Sequence, residues 1–258
     1  MSRPDPGGRA SLVMPAFDES ARIERAVTEI AAWSRGRPGG WDWEVIVVDD
    51  GSSDGTSALA RRAANAERLP IAVLRHEKNR GKGAAIRTGV LASSGDPVLV
   101  SDTDLSTPLG EWVKLAERLP THPVAIGSRA VDEELVRQRQ PFYRQFMGKT
   151  FNAFVRLFAV PGIRDTQCGF KLFRGDIARQ LFAEARIDRF AYDVEILFLA
   201  RRRGIAIAEV PVLWFNSPES KVAVVRDSLR MLRDLVRIRW IHRGRKTEQG
   251  TGNTERRR

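Results

Sequence analysis

Two aspartates one residue apart, Asp102 and Asp104, close the apolar run in "VLVSDTDLSTP" (98–108). Like charges this close need something between them, and either water or a cation can serve. In an extended segment residues i and i+2 point to one side, so both carboxylates would converge on one ion. An oxygen-only pair suits Mg²⁺ or Mn²⁺, completed by water and a substrate phosphate. The competing reading is a solvated turn, or an aspartate capping the next helix.

A second acidic pair, Asp49 and Asp50, ends the apolar run of "EVIVVDDGSSDGT" (44–56). Gly51 supplies an unusual backbone angle there, and Ser53 or Asp54 is the expected cap of a following helix. At least one of the two aspartates is expected to face a ligand crevice, where a carboxylate accepts hydrogen bonds from a base or ribose. "NRGKG" (79–83) brings glycines, an arginine and Lys82 to a helix start, an arrangement that suits an anion. It lacks the Walker spacing, and no G-x-G-x-x-G occurs, which argues against an ATPase and a dehydrogenase. The three histidines lie far apart and Cys168 is the one cysteine, so neither a His/Cys zinc site nor an internal disulfide is expected.

The elements that must position these residues follow a β-α rhythm. Strands are expected at 11–17, 44–50, 71–76, 96–102 and 123–128, with helices at 19–35, after 54, at 82–94 and at 108–119, where Pro108 suits a first turn. Near-continuously apolar strands of this kind belong to a mainly parallel sheet flanked by helices, with ligands beyond the carboxyl ends of the strands. "FDES", "DDGSSDGT", "HEKNRGKG" and "DTDLS" all fall at such ends. Further on, 163–174 reads as a glycine-containing loop, 192–204 as a helix ended by Gly204, 205–214 as a strand and 220–246 as a long helix. The expected organisation is a disordered N-terminus (1–10), one α/β catalytic domain (11–215), an amphipathic helix (216–243) and a disordered basic tail (244–258).

With 258 residues the chain can bury a sizeable core, and its net charge of +11 points to polyanions: phosphate-bearing substrates, an anionic membrane surface or nucleic acid. No run approaches a membrane span, and "MSRPDPGGRA" lacks the apolar centre of a secretory signal, so a cytoplasmic location is expected.

Taken in order, "VMPAFDES", "EVIVVDDGSSDGT", "NRGKGAAIRTG", "SDTDLSTP" and "DTQCGFKLF" resemble the family 2 glycosyltransferases, which have the Rossmann-like GT-A fold. "YDVEILFLARRRGI", "EVPVLWFNSPESKV" and "RDSLRMLRDLVRIR" narrow this to the polyprenyl-phosphate branch, most like the dolichyl-phosphate β-glucosyltransferases. The resemblance spans about residues 11–240. It implies Pro15, Phe17 and Glu19 against base and ribose, Asp49 on the base and Asp50 beside the ribose. Lys82 is implied near the diphosphate or in a structural role, with Thr103 also in the nucleotide-sugar site and Arg129 facing the phosphates. Asp102 is implied as a ribose or metal contact, and Asp104 as principal ligand of Mg²⁺ or Mn²⁺. Mannosyl relatives commonly carry glutamine where this chain has Ser106, which argues against GDP-mannose. Asp165 is implied near the reacting sugar and Asp193 in the sugar pocket, both as catalytic residues. Lys221 is implied on the diphosphate and Trp214 on the sugar.

The implied reaction is inverting, metal-dependent transfer of a hexose from a UDP-sugar to a polyprenyl phosphate. Val222, Val225, Leu229, Leu232, Val236 and Trp240 recur at helical spacing with Arg226, Arg230, Arg233 and Arg237 one step behind. Such a helix suits a membrane interface, or packs on the domain with a solvated basic flank. The aromatic stretch 141–160 is a second candidate, with Arg144 and Lys149 placed to take the acceptor phosphate. Self-association is compatible with the sequence. The rivals are a GDP-mannose-dependent lipid transferase, a soluble family 2 transferase with another acceptor, and a nucleic-acid-binding protein, which leaves four carboxylate-bearing loops without a purpose.

Overall fold

A computed structural model describes residues 8–136, 160–215 and 224–243. The expected sites at Arg144, Lys149 and Lys221, the 141–160 stretch, Val222 and both terminal segments lie outside the described residues or almost wholly so.

Seven strands form one sheet: β1 (Arg9–Ala16), β2 (Asp42–Asp49), β3 (Ile71–Arg75), β4 (Val98–Val100), β5 (Val124–Ser128), β6 (Lys171–Phe173) and β7 (Ile207–Pro211). Their order is β3-β2-β1-β4-β6-β5-β7. All neighbours are parallel except β6, which runs antiparallel between β4 and β5 and pairs Lys171 with both Val100 and Ile126. The expected loop at 163–174 therefore contains a central strand. Three residues carry too little pattern to announce one, and β6 exists because it fills the gap between two buried edges.

Helices α1 (Ile23–Arg35), α2 (Thr56–Glu67), α3 (Lys82–Ala92), α4 (Trp112–Ala116), α5 (Gly175–Glu184), α6 (Tyr192–Arg202) and α7 (Val224–Ile241) cover the sheet. Strand alternation divides the core in two. Val13, Ile46, Val48, Val98 and Val100 face the layer that includes Ile86, Val90, Phe182 and Leu197. Leu12, Met14, Val45, Val47 and Leu99 face Ile23, Val27 and a tryptophan cluster. In that cluster Trp33, Trp41, Trp43 and Trp112 meet edge to face with centroids 4.6 to 6.1 Å apart, a geometry that aromatic quadrupoles favour.

Several boundaries differ from expectation for local reasons. α2 begins after Gly55, whose φ is +85°, and Asp54 caps from one residue further out by accepting the Thr56 N–H at 3.1 Å. Pro108 is extended and precedes a 3₁₀ turn (Leu109–Glu111), so the expected 108–119 helix is a short α4 only. The spacing of Ala178, Leu181 and Phe182, all buried, marks α5, which the sequence reading passed over.

α7 lies against α6. Leu235, Ile238 and His242 are buried, while Val236 and Trp240 point outward at 71% and 74% exposure. The two members of the expected apolar stripe whose side chains are described thus both face outward, and packing selects the 235–238–242 face instead. His242 Nε2 lies 2.8 Å from the wholly buried Glu195, whose other contacts are the N–H groups of Arg186 and Ile187. No helix among the described residues is long and apolar enough to cross a membrane.

α3 meets the sheet at Gly89, where an added Cβ would lie 2.4 Å from Val13 Cγ1 and 3.0 Å from Val48 Cγ2. Both valines are stiff at χ1 and cannot give way cheaply. Gly89→Ala is expected to lower stability by about 1–3 kcal/mol through overpacking, read as a reduced urea midpoint with an unchanged m-value.

Candidate active site

The polar loops gather at the carboxyl ends of the parallel strands and first lock to one another. Behind β1, the Asp18 and Glu19 N–H groups donate to Ser52 Oγ and Thr56 Oγ1 at 2.9 and 2.8 Å. Asp18 in turn accepts from the Ser53 N–H, and Glu19 pairs with Arg22. Phe17 stands 38% exposed beside them. The Pro15 carbonyl accepts from Thr103 Oγ1 at 2.5 Å, which ties the end of β1 to the loop after β4.

Asp49 and Asp50 are both buried. Asp49 accepts from the Ser52 N–H and from Ser57 Oγ, with Arg75 at 3.6 Å. Burial works to raise its pKa, yet these partners hold it below the usual carboxylate range. Asp50 accepts from the N–H groups of Arg80 and Gly81 at 3.0 and 2.7 Å and contacts His76 Nδ1 at 2.7 Å. Both carboxylates thus brace loops from within, where the sequence reading expected at least one to face the crevice.

"NRGKG" is also engaged internally. A Cβ at Gly81 or Gly83 would lie 2.5 or 2.6 Å from carbonyls of Asp188 and Ile187, so the glycines admit the α5–α6 connection. The Ala84 N–H at the start of α3 donates to the Asp188 carbonyl. That first turn is therefore partly occupied by protein, which counts against the expected anion site.

Lys82 reaches Asp102 instead, with Nζ 2.7 Å from Oδ1. Burial penalises both charges, but each holds the other ionised: the Asp102 pKa is lowered and that of Lys82 raised. β4 ends at Val100, and Asp102–Leu105 form a turn closed by the Leu105 N–H on the Asp102 carbonyl at 3.2 Å, with Leu105 at φ +48°. The extended i, i+2 geometry expected for the aspartates is replaced by this turn. Even so, Asp102 and Asp104 line the same cleft with Ser101, Ser106, Thr107, Gly169, Phe170 and Trp214. Its volume of about 20 Å³ admits one water-sized guest.

Asp104 accepts from the Ser106 N–H at 3.0 Å, and Ser106 Oγ is buried without a hydrogen-bond partner. An orphaned hydroxyl sharing a cleft with two carboxylates fits a hard cation or its water, since both seek oxygen donors. Among the described residues, no group of three or more His, Cys, Asp or Glu is placed to hold a metal. The acidic donor set is therefore this pair.

Deeper in, Arg129 grips Asp165 with two guanidinium bonds of 2.7 and 2.9 Å and its own N–H at 3.0 Å. The Asp165 N–H donates to Glu209, which also takes the Ser128 hydroxyl. Burial opposes the charge of Asp165, but Arg129 draws its pKa down. Arg129 lies 5.5 Å from the Trp214 ring centroid, a cation–π contact. Asp193 is buried against Lys171 and its pKa is raised by that burial, which Lys171 and Lys82 only partly offset. Cys168 is buried, its thiol pushed up to about 11, so it is neutral near pH 7.

Of the expected residues the structure puts Asp102 and Asp104 on one cleft, with Lys82 paired to Asp102. Arg129 lies against Trp214 of the cleft wall, and Asp165 and Asp193 are buried against Arg129 and Lys171. Asp49, Asp50 and Glu19 brace the neighbouring loops, Pro15 and Thr103 join the end of β1 to the β4 turn, and Phe17 is partly exposed after β1. Sequence reasoning missed Gly169 and Lys171. A Cβ on Gly169 would lie 2.1 Å from Asp102 Oδ2, so only glycine lets the carboxylate lie there. The cue in the sequence was a glycine just before an aromatic-flanked lysine, "CGFKLF".

Two outcomes test this geometry. Gly169→Ala is expected to displace Asp102 and reduce activity at least ~10-fold while the fold persists, seen as a normal circular dichroism spectrum with lost turnover. Because folding lowers the Asp165 pKa, its contribution to stability is complete above the unfolded value of 3.8 and lost as pH falls through the folded value. Asp165→Asn is therefore expected to flatten the decline of urea midpoint below about pH 4.

Comparison with known proteins sets this site in context. Residues 11–182 match the family described as Glycosyl transferase family 2. The chain is 38% identical to the dolichyl-phosphate beta-glucosyltransferase of Drosophila melanogaster, covering 92% of this chain and 76% of that protein. The protein of the same name from Homo sapiens is 36% identical, over 91% of this chain and 76% of its own length. Among solved structures, mannosyl-3-phosphoglycerate synthase from Rubrobacter xylanophilus superposes with a TM-score of 0.65 at 20% identity, covering 92% and 73% of the two chains. Glucosyl-3-phosphoglycerate synthase from M. tuberculosis gives 0.61 at 22% identity, covering 90% and 79%. At such identities the structural likeness concerns the fold.

Proposed function

This chain belongs to glycosyltransferase family 2 and is a nucleotide-sugar-dependent transferase of GT-A fold, and from that premise we propose that it moves glucose from a UDP-sugar to a polyprenyl, dolichyl-type phosphate. The observation that carries the reading is a relative set named for dolichyl-phosphate glucosylation that matches about nine-tenths of the chain.

The chemistry of the site agrees. A lipid monophosphate is already an anion near pH 7, so its oxygen can attack the anomeric carbon without a strong base. Asp165, gripped by Arg129, is a poor base and a good orienting group. As the phosphate–sugar bond forms, the bond to the nucleotide diphosphate breaks on the opposite face. An α-linked donor then yields a β-linked lipid phosphate sugar and UDP. Asp102 and Asp104, with Ser106 beside them, would hold Mg²⁺ or Mn²⁺. That ion supplies positive charge to the leaving diphosphate.

The outward face of α7 fits the acceptor's setting. Val236 and Trp240 are exposed amid Arg233, Arg237, Arg239 and Arg243, a pairing of apolar and cationic side chains suited to an anionic lipid surface. We assign that surface to the cytoplasmic side, where nucleotide sugars are supplied.

The test is a panel of UDP- and GDP-sugars with polyprenyl phosphate and Mn²⁺ or Mg²⁺. Lipid-soluble product is expected with UDP-glucose, and the absence of product with every donor, divalent cation being present, overturns the reading. Asp104→Ala is expected to reduce turnover at least ~100-fold, and EDTA to abolish it until divalent cation is restored. Product with GDP-mannose instead would move the assignment to the mannosyl branch. The paired change Val236→Ser with Trp240→Ser is expected to release the protein from anionic liposomes in flotation while leaving nucleotide binding intact.

A further inference from the structure

Lys171 is 2% exposed at the first position of β6. A buried ammonium persists only when paired and hydrogen-bonded. Its Nζ donates to Asp193 Oδ1 on α6 and to the Cys168 carbonyl in the turn that leads into β6. Register places Lys171 beside Val100, the last residue of β4 and two positions before Asp102.

The turn that Lys171 holds includes Gly169, whose Cα side lies against the Asp102 carboxylate, with room for no Cβ. From the other side Lys82 meets the same carboxylate at 2.7 Å. Asp102 is therefore seated between a turn tied by Lys171 and a lysine at the start of α3. The field of Lys171 also reaches Asp102 and Asp165, so one cation serves three carboxylates, of which Asp165 and Asp193 are buried.

We propose that Lys171 is a positioning residue for donor binding: its ammonium ties the Cys168–Gly169 turn to Asp193 and so fixes the seat of the Asp102 carboxylate that receives the donor and its cation. The proposal rests on the proposed function in one respect, that Asp102 belongs to the cation and donor site. Lys171 itself touches neither sugar nor nucleotide. Its removal therefore acts through the position of Asp102.

The experiment compares Lys171→Met, Lys171→Arg and the double variant Lys171→Met/Asp193→Asn with the wild-type chain. The double variant removes both charges of the buried pair and so avoids leaving Asp193 alone if the single methionine variant fails to fold. Folding is followed by circular dichroism and urea melts, Mn²⁺ affinity by direct titration without donor, and transfer by initial rates. The expected result is a folded double variant with Mn²⁺ affinity about 10–100-fold weaker, and a kcat/KM loss lying mainly in the donor KM. Lys171→Arg, which keeps the cation, is expected to retain affinity within about threefold. A folded double variant with wild-type Mn²⁺ affinity and donor KM overturns the proposal and reduces Lys171 to a stability element. A wild-type chain that binds no Mn²⁺ overturns the cation reading of Asp102 and this inference with it, an outcome separate from the first.

Discussion

Like charge cannot be buried without an answering charge, and this constraint organises the catalytic end of the molecule. Asp102, Asp165 and Asp193 come from three different parts of the chain, and Lys82, Arg129 and Lys171 from three more. Each acid meets one base, and neighbouring pairs feel one another. In the buried Lys171–Asp193 pair, removing one member would leave its partner charged in a low-dielectric setting, an expense of several kcal/mol. The α3 start, the β4 turn, the β5 end, the β6 start and the α6 start are therefore held in one arrangement by electrostatics as well as by packing.

A second layer of polar contacts fixes the rim. Asp18, Asp50 and Asp54 each accept a backbone N–H group from a neighbouring loop, so three acidic residues serve as joints between successive β-α connections, while Asp49 closes its own. The α5–α6 connection then presses on Gly81 and Gly83, and Glu195 links it to His242 at the end of α7. The helix that carries Val236 and Trp240 is thereby joined through hydrogen bonds and close packing to the element that presents Lys82. The proposed lipid-facing surface and the proposed donor site are thus linked through one set of contacts.

Much of the first half was legible from local pattern. Strands β1, β2 and β3 are largely apolar runs ended by acidic or basic clusters, and α1 carries clear helical periodicity, so each, like α3, appears within a few residues of its expected place. The placing of acidic loops at strand ends was equally plain, because parallel sheets bring those ends together. The errors came where the pattern was short or shared. β6 has three residues, and its identity depends on edges offered by β4 and β5. The helix after Pro108 shrank because a 3₁₀ turn satisfied its first carbonyls. On α7 the core took Leu235 and Ile238, which the expected stripe did not include, and left Val236 and Trp240 of that stripe exposed.

The sequence by itself determined the fold class, the family and the set of residues from which a site could be built. Those properties follow from periodicity and from ordered motifs, which are local. Only the tertiary structure decided which of those residues work inward and which face the cleft. Asp49 and Asp50 proved to be braces, Asp102 and Asp104 shared a cleft through a turn rather than an extended strand, and Lys171 became a hub. The physical reason is that a carboxylate or ammonium takes its role from the partner it meets, and the partners of Asp50, Asp102 and Lys171 that decide this include ones from distant parts of the chain.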